Sequence, residues 1–426
     1  MKIQPKAMKL LPGIWKRGLH DVLHLAGHDA DFSWLARACG MEPMSEPFRE
    51  GRYAAWCGQC DLNIAPEYPS PEAYGMKIAP DGITVAARTE AGLAMGLKAL
   101  WRELDGLTEV PCALIQDEPA LNFRGTHLCV FPIYDGTRKE DTSPEALRRM
   151  IDQAAYWGYN HVFIEFWGTF PYQKHPYACW PDSQYTRATV NGLIEHCLND
   201  LHIQPVPVQN LTSHAGWSRI GSRKHVVLDQ RPDLADMWIP GGWCFATENP
   251  DTRAFLTDTI DELLGMYRLP PILHVSTDKC FGFGSSEADR VHDADSLFIR
   301  HLHFLHDTLA ERHVRMMMWT DMLYGALDSK FWKASPAVTD VLPRDIIMNI
   351  WTHNDPGDCW PDIDFFQGKG YDTVYSPFIN EASIRNMIRL CQRSHSMGIL
   401  QTTWYCPQTA LPFVQKSGKW QWEGLV

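Results

Sequence analysis

Apolar and polar positions follow two different patterns along the chain, and the change falls near residue 120. Before it, β-rich runs at 74–79 and 83–87 predict two short strands, because a Pro-Asp-Gly turn separates them. Apolar residues at helical spacing then predict a helix over 89–104. The first 70 residues have mixed helical and loop character. The pattern therefore predicts an N-terminal α+β domain over residues 1–120.

After the change, short apolar runs alternate with helical patterns to the end of the chain. Eight such runs predict a (β/α)8 barrel over residues 121–426, preceded by the small α+β domain. A doubly wound open sheet is the alternative, but no G-x-G-x-x-G motif follows a strand. The predicted strands are 125–131, 161–166, 203–209, 272–277, 314–319, 346–351, 373–378 and 399–405.

Two segments fit a regular barrel poorly. The segment 211–249, after the third strand, is long and rich in Gly, Trp and Pro, and long loops of this kind shape active sites in barrels. After Tyr405 only 21 residues remain, and they include Pro407, Pro412 and Gly418. A full eighth helix is therefore not expected. Either the wall is irregular there, or a partner such as a second copy of the chain covers it.

Charge and composition narrow the classes of function. Lys and Arg number 39 and Asp and Glu 51, so the net charge of −12 argues against binding to nucleic acid or to an anionic membrane. The N-terminus lacks a signal-like stretch and no run of about 18 apolar residues occurs. Twelve cysteines are spread along the chain, with one close pair at Cys57 and Cys60. We expect a cytoplasmic protein with reduced thiols.

The carboxyl ends of the predicted strands carry the candidate chemistry, because barrel enzymes place their sites there. Carboxylates at several strand ends, together with tryptophans, describe an aromatic-walled pocket with acids inside, which suits glycoside chemistry. Metal hydrolysis ranks lower, since His301 and His303 lie on a predicted helix. We predict no metal or cofactor. The strand-end residues are Glu165, Asn210, His214, Asp278, Lys279, Trp319, Asp321, Trp351, Tyr375 and Trp404.

Several segments together resemble glycoside hydrolase family 20, the β-N-acetylhexosaminidases. The sequence from His274 to Lys279 is similar to the family's "H-x-G-G-D-E" fourth strand, and Trp319-Thr-Asp321 to its "W-D-E". Thr212-Ser-His214 resembles its "P-G-H", and 117–125 resembles its "DEP…RG" entry to the first strand. The resemblance covers roughly residues 70–405 and also includes the hairpin and helix before the barrel.

The resemblance implies an exo-acting enzyme that removes a terminal β-linked N-acetylhexosamine, GlcNAc or GalNAc, by substrate-assisted retaining chemistry. In that chemistry the sugar's 2-acetamido oxygen attacks the anomeric carbon. By resemblance, Asp278 orients the acetamido group and His214 belongs to the supporting polar network. Asn210, Lys279 and Tyr375 are further predicted substrate contacts. Trp319, Trp351 and Trp404 are expected to form the wall around the sugar.

The sequence departs from the family pattern at the proton donor. Lys279 stands where the family has its general-acid Glu, and Cys129 and Pro132 stand where it has Asp and Arg. One reading is that the acid has moved, with Glu165 as the first choice of proton donor and Asp321 the second. The other reading is a catalytically inactive relative that binds a glycan.

Overall fold

A computed structural model describes residues 3–18, 21–26, 31–47, 53–64, 68–130, 140–217, 224–324 and 334–425. The chain forms a seven-stranded sheet domain followed by a closed eight-stranded barrel. Phe131, the last residue of the predicted first barrel strand, and Pro132, which stands where the family has Arg, lie outside the described residues, as do residues 218–223 of the loop after the third strand.

In the residues that the structure describes, the N-terminal domain is a mixed sheet with two α-helices. Its strand order is β1-β7-β5-β6-β4-β2-β3, and all pairs are antiparallel except β2 with β3. The second helix begins after its N-cap Thr89, whose side chain accepts a hydrogen bond from Gly92 N. The elements are β1 (Ala7–Lys16), β2 (Val22–Ala26), α1 (Ser33–Ala38), β3 (Glu42–Glu46), β4 (Tyr53–Gly58), β5 (Tyr74–Ala79), β6 (Gly82–Ala87), α2 (Glu90–Leu104) and β7 (Glu109–Asp117).

The barrel closes by parallel pairing of eight strands, as the alternation of strands and helices predicted. Its strands are β8 (Phe123–Val130), β9 (His161–Phe166), β10 (Gln204–Val208), β11 (Ile272–His274), β12 (Arg315–Trp319), β13 (Ile347–Trp351), β14 (Thr373–Ser376) and β15 (Gly398–Gln401). Its helices are α3 (Pro144–Tyr156), α4 (Arg187–Glu195), α5 (Pro250–Met266), α6 (Ala294–Ala310), α7 (Pro361–Gly368), α8 (Glu381–Arg393) and α9 (Pro407–Glu423).

The prediction that no full helix follows the eighth barrel strand was wrong. α9 runs for 17 residues despite Pro412 inside it. Its buried positions, including Ala410, Val414 and Trp422, recur at helical spacing, so packing of this face outweighs the poor helix propensity. Gly418 permits the close approach, because a Cβ there would lie 2.7 Å from the carbonyl oxygen of Trp157.

The prediction of mixed helix and loop for the first 70 residues was also wrong. They contribute strands β1 to β4 and the short helix α1, where the sequence indicated helix and loop. The sequence of β1 lacks a continuous strand pattern, because Pro12 and Gly13 interrupt the strand where its pairing with β7 is irregular. β3, Glu42–Glu46, is a polar edge strand that contains a proline, and such strands lack the usual apolar alternation.

The two domains share a buried contact at the end of α9. Trp422, from α9 of the barrel, belongs to the hydrophobic core of the N-terminal domain, and its indole nitrogen donates to Asp117 Oδ2 at 2.7 Å. The main chain continues the contact, since Ala120 N donates to the carbonyl oxygen of Trp422. Within the described residues, no helix is both long and apolar enough to cross a membrane.

Candidate active site

The barrel interior changes from apolar to polar toward the carboxyl ends of its strands. Side chains two residues apart in a strand lie on the same face, so each inward apolar residue is followed by another inward residue. The lower layer is a buried apolar cluster that includes Phe163, Val208, Ile272, Ile347 and Val374. Two positions further on, the same interior positions hold Glu165, Asn210, His274, Asn349 and Ser376, all of them buried.

Glu165 lies in this polar layer with both carboxylate oxygens engaged. Asn210 Nδ2 donates to Oε1 at 2.6 Å, and His127 Nε2 lies 2.9 Å from Oε2. His127 is fully buried on β8, and the edge of its ring faces Trp404, with a centroid separation of 5.2 Å. Glu165 is therefore held firmly by neighbouring strands on both sides.

His274 anchors the opposite side of the layer. Its ring packs on Trp319 with centroids 4.4 Å apart, and its Nε2 lies 3.2 Å from Asn349 Nδ2. Ser376 Oγ donates in turn to Asn349 Oδ1 at 2.6 Å. Burial lowers the pKa of His274 to about 3, so its ring is neutral at physiological pH and acts as a structural hydrogen-bonding group.

The chain after β11 turns sharply and places two charged side chains at the barrel mouth. Ser276, Thr277 and Lys279 all have left-handed backbone conformations, with φ of 61°, 82° and 51°. This region is costly for a β-branched residue such as Thr277, and such strain concentrates at functional sites. The Thr277 hydroxyl steadies the turn by donating to the carbonyl oxygen of Trp319 at 3.1 Å.

Asp278 is buried between two cationic or potentially cationic groups. The Lys279 Nζ lies 2.7 Å from Asp278 Oδ2, and His214 Nε2 lies 3.3 Å from the same oxygen. Burial alone would raise the pKa of Asp278, but Lys279 and His214 outweigh it and hold the pKa well below its usual range. Asp278 is therefore an anion at all physiological pH values.

Asp321 is a second buried carboxylate, at the end of β12, with longer contacts. Trp351 Nε1 donates to its Oδ1 at 3.1 Å, and the Lys279 main-chain N–H donates to its Oδ2 at 3.3 Å. Burial and the nearby charge of Asp278 raise the pKa of Asp321 to about 6, against the opposing effect of the Lys279 charge. Two neighbouring carboxylates thus have pKa values pushed apart, which is the usual division between an anion and a proton carrier.

The tryptophans form a wall around the Lys279 ammonium. Its Nζ lies 4.8 Å from the ring centroid of Trp351 and 5.7 Å from that of Trp404. Trp404 also packs against Trp319, with centroids 5.3 Å apart. Burial alone would lower the pKa of Lys279, but the carboxylates of Asp278 and Asp321 outweigh it and raise the pKa. The ammonium is therefore a fixed positive charge in the aromatic pocket.

The loop after β10 brings His214 and another tryptophan to the site. His214 lies between Trp167 and Trp243, with ring centroids 5.3 and 4.5 Å away. Trp243 Nε1 donates to the carbonyl oxygen of Lys279 at 2.7 Å, so the loop and the β11 turn support each other. That residues 218–223 of the same loop also shape the site stays a prediction, because they lie outside the described residues.

The structure brings nine of the ten predicted site residues together and separates the tenth. Tyr375 faces outward from β14, where its hydroxyl is 2.8 Å from Ser394 Oγ and 3.2 Å from Gln367 Nε2. Its neighbours Val374 and Ser376 face the interior, so the pleat of the strand excludes Tyr375 from the pocket. His127 and Trp243 were missed. The period of two would have placed His127 inside, whereas Trp243 lies in an irregular loop without a pattern.

The described part of the chain contains no group of three or more His, Cys, Asp or Glu side chains arranged to hold a metal ion. His301, on α6, is buried and hydrogen-bonds within the protein, with its Nε2 3.0 Å from Thr212 Oγ1 and 3.1 Å from the Leu211 carbonyl oxygen. This histidine packs the helix against the barrel.

Comparisons with solved structures find the same architecture in proteins of very different sequence. No family model matches the chain, and no curated protein matches it by sequence. The structure of a β-N-acetylhexosaminidase from Bacteroides fragilis superposes with a TM-score of 0.71 at 15% identity, covering 99% of this chain and 91% of that one.

Two further structures are similar over nearly the whole chain. An inactive variant of an exo-β-N-acetylglucosaminidase of glycoside hydrolase family 20 from Vibrio harveyi gives a TM-score of 0.68 at 14% identity, covering 98% of this chain and 73% of that one. The family 20 β-N-acetylhexosaminidase from Streptomyces coelicolor A3(2) gives 0.67 at 14% identity, covering 98% and 90%. The chain therefore has the two-domain fold of the glycoside hydrolase family 20 β-N-acetylhexosaminidases.

Proposed function

We propose that the protein is a glycoside hydrolase that removes a terminal β-linked N-acetylhexosamine by substrate-assisted retaining chemistry. The observation that carries this proposal is the pair of buried carboxylates Asp278 and Asp321, which lie in an aromatic pocket at the carboxyl ends of the barrel strands and have pKa values shifted in opposite directions. Proteins that share the fold are described as β-N-acetylhexosaminidases, which supports the same substrate class.

Asp278 is the group proposed to act on the acetamido group. Its Oδ2 is occupied by Lys279 and His214, whereas its Oδ1 has no hydrogen-bond partner among the described residues. This oxygen is free to accept a hydrogen bond from the substrate's acetamido N–H. As the acetamido oxygen attacks the anomeric carbon, positive charge develops on the resulting oxazolinium ion, and the Asp278 anion stabilises it.

Asp321 is the proposed proton donor, ahead of Glu165, which the sequence favoured. A general acid works best with a pKa near the working pH, and Asp321 meets that condition. Glu165 is instead fixed by short contacts to Asn210 and His127. The proton of Asp321 passes to the glycosidic oxygen as the anomeric C–O bond breaks. The carboxylate then takes a proton from the water that opens the oxazolinium ion.

The test is turnover of four p-nitrophenyl glycosides, the β-GlcNAc, β-GalNAc, β-glucoside and β-galactoside. We expect cleavage of the acetamido sugars alone, because the mechanism needs the acetamido oxygen. Asp278→Asn should lower kcat/KM by about 100-fold or more, since it removes the charge opposite the oxazolinium ion. Asp307→Asn, on the exposed face of α6 outside the barrel, is the matched control and should retain wild-type turnover.

Two outcomes would contradict the proposal. Equal cleavage of glucosides and acetamido sugars would contradict the substrate-assisted mechanism, which needs the acetamido group. No turnover of any sugar, together with N-acetylhexosamine binding measured by calorimetry, would indicate a glycan-binding protein.

A further inference from the structure

Lys279 contacts both buried carboxylates through two different donors. Its ammonium donates to Asp278 Oδ2 at 2.7 Å, whereas its main-chain N–H donates to Asp321 Oδ2 at 3.3 Å. The left-handed backbone at Lys279 makes this arrangement possible, since the N–H points toward β12 while the side chain turns back over Asp278. A single residue thus offers a full charge to one carboxylate and a neutral donor to the other.

The surroundings keep the ammonium in this position. It lies over the faces of Trp351 and Trp404, which attract a cation and limit its contact with water. The main-chain carbonyl oxygen of Lys279 accepts a hydrogen bond from Trp243 Nε1, and this bond fixes the backbone of the turn. The side chain of Lys279 is 28% exposed, so the ammonium is at the pocket surface where a sugar would meet it.

The other charged and titratable groups around the ammonium come from several elements. Asp278 follows β11, Asp321 follows β12 and Glu165 ends β9, and all three carboxylates act on the Lys279 charge. His214, from the loop after β10, shares the same oxygen of Asp278. His127, from β8, faces Glu165 and lies one strand further away. Within the described part of the chain, Lys279 makes a direct contact with both Asp278 and Asp321.

We propose that Lys279 is a positioning residue that divides the roles of these two carboxylates. Its ammonium reserves Asp278 as the permanent anion, and its main-chain N–H holds Asp321 in place to carry the proton. This role rests on the proposed hydrolase function, and it makes Lys279 part of the acid–base machinery although its own proton is never transferred.

The experiment uses Lys279→Met, which removes the ammonium and keeps the main-chain N–H, and Lys279→Arg, which keeps a cation. Lys369→Met is the control, because Lys369 also pairs with an aspartate and lies over an aromatic ring, 5.2 Å from the centroid of Phe365, but it follows α7 on the outside of the barrel. Carbon-13 NMR of aspartate labelled at the carboxyl carbon follows each titration. Asp278→Asn and Asp321→Asn assign the two signals.

In the wild type, the Asp278 signal should stay ionised over the whole range in which the protein is folded. In Lys279→Met, we expect Asp278 to become at least about tenfold weaker as an acid and kcat/KM to fall about 100-fold, with the acid limb of the pH profile moving upward. Lys279→Arg should leave the Asp278 signal ionised, because it keeps a cation beside that carboxylate, and Lys369→Met should match the wild type in both readouts.

Unchanged titration of Asp278 in Lys279→Met would overturn the proposal. If Lys279→Met does not fold, Lys279→Gln takes its place and is judged by the same two readouts. The NMR arm does not depend on turnover. If the wild-type protein cleaves no acetamido glycoside, the proposed function is contradicted. The titrations would still decide whether Lys279 sets the charge of Asp278.

Discussion

Asp321 combines burial with a neighbouring anion, and this combination determines its chemistry. It is 7% exposed, and its two hydrogen-bond contacts, to Trp351 and to the Lys279 backbone, are longer than those of Glu165. Burial and the charge of Asp278 favour the neutral acid, so near pH 6 the protonated and ionised forms are both populated. A carboxyl group of this kind serves well as a general acid.

The first prediction concerns this carboxyl group. In the wild type, kcat/KM should fall as pH rises through about 6, because the proton of Asp321 is lost there. Asp321→Asn should lack this alkaline limb. It should also lower kcat/KM by roughly 10²–10⁴-fold for a natural glycoside, and by less for p-nitrophenyl glycosides, whose leaving group needs little protonation.

Glu165→Gln is the matched comparison for that prediction. It removes the other candidate acid and should leave the alkaline limb in place, because Glu165 is held by Asn210 and His127. An alkaline limb that persists in Asp321→Asn and disappears in Glu165→Gln would reverse the assignment and restore Glu165 as the proton donor.

The residue scale also shows what the sequence could predict of the site. Strand ends gave Glu165, Asp278, Asp321 and the tryptophans, since carboxyl ends of parallel strands meet at one end of a barrel. The order of the two acid candidates could not be predicted. It depends on distances between side chains on separate strands, such as the contact of Lys279 N with Asp321.

The elements place these residues through closure of the barrel. β15 pairs with β8, and Gly398 lies opposite Phe123 in this last pair. A Cβ at Gly398 would be 1.8 Å from the Phe123 carbonyl oxygen. Closure of the barrel at this seam therefore depends on the absence of a side chain, and the seam leads up to Trp404 at the mouth of the pocket.

The second prediction follows from this seam. Gly398→Ala should lower the free energy of unfolding by roughly 1–3 kcal/mol, because the backbone of one strand must shift to admit the methyl group. Urea unfolding measures this change. Gly192→Ala is the control, because Gly192 lies in α4 with open space where a Cβ would be, and its helix should become slightly more stable. Equal stability of both variants would show that the seam tolerates a side chain.

Element positions were predictable, but their ends were not. The predicted fourth strand, 272–277, stops at His274 in the structure because Ser276 and Thr277 adopt left-handed conformations. The predicted eighth strand, 399–405, is Gly398–Gln401, after which the chain leaves the barrel. In both cases the apolar pattern continues past the strand, because the turn itself is buried in the pocket wall.

At the scale of the whole molecule, a charged side chain is buried where the two domains meet. Lys98, on α2, is fully buried and its Nζ donates to the carbonyl oxygen of His202 at 3.2 Å. Burial lowers the pKa of Lys98 to about 7, and nearby Arg124 contributes, against the opposing charge of Glu72. Folding below this pH therefore includes the cost of burying a positive charge.

The third prediction is a pH dependence of stability. The folded pKa of Lys98 lies below the ordinary value for lysine, so the unfolded chain binds more protons between about pH 7 and 10.5. The contribution of Lys98 to stability should rise with pH across that window and be least favourable below pH 7. Lys98→Met should therefore raise Tm at pH 6, with an advantage over the wild type that shrinks by pH 9.

Lys416→Met is the control for that measurement, because Lys416 is half exposed and pairs with Glu381 at the surface. Its Tm difference from the wild type should change little between pH 6 and pH 9. A Lys98→Met variant whose Tm difference is equally constant would show that Lys98 keeps its proton in the folded protein from pH 6 to pH 9, and would contradict the lowered pKa.

The whole-molecule architecture was only partly predictable from sequence. The barrel could be predicted, since its strands and helices alternate along the chain. The seven-stranded sheet could not be predicted, because β1 pairs with β7 across about a hundred residues of chain, and such pairing leaves no local pattern. The clamp of Trp422 on Asp117 joins even more distant residues.

The central claim is that the substrate's own acetamido oxygen is the nucleophile, with Asp278 as its partner. The most direct measurement is kcat/KM for p-nitrophenyl β-glycosides whose N-acetyl group carries zero, one, two or three fluorine atoms. Fluorine withdraws electrons from the acetamido oxygen, so the account predicts a steep fall in kcat/KM with each added fluorine. A rate that does not change along the series would contradict the account, because the acetamido oxygen would then take no part in breaking the glycosidic bond.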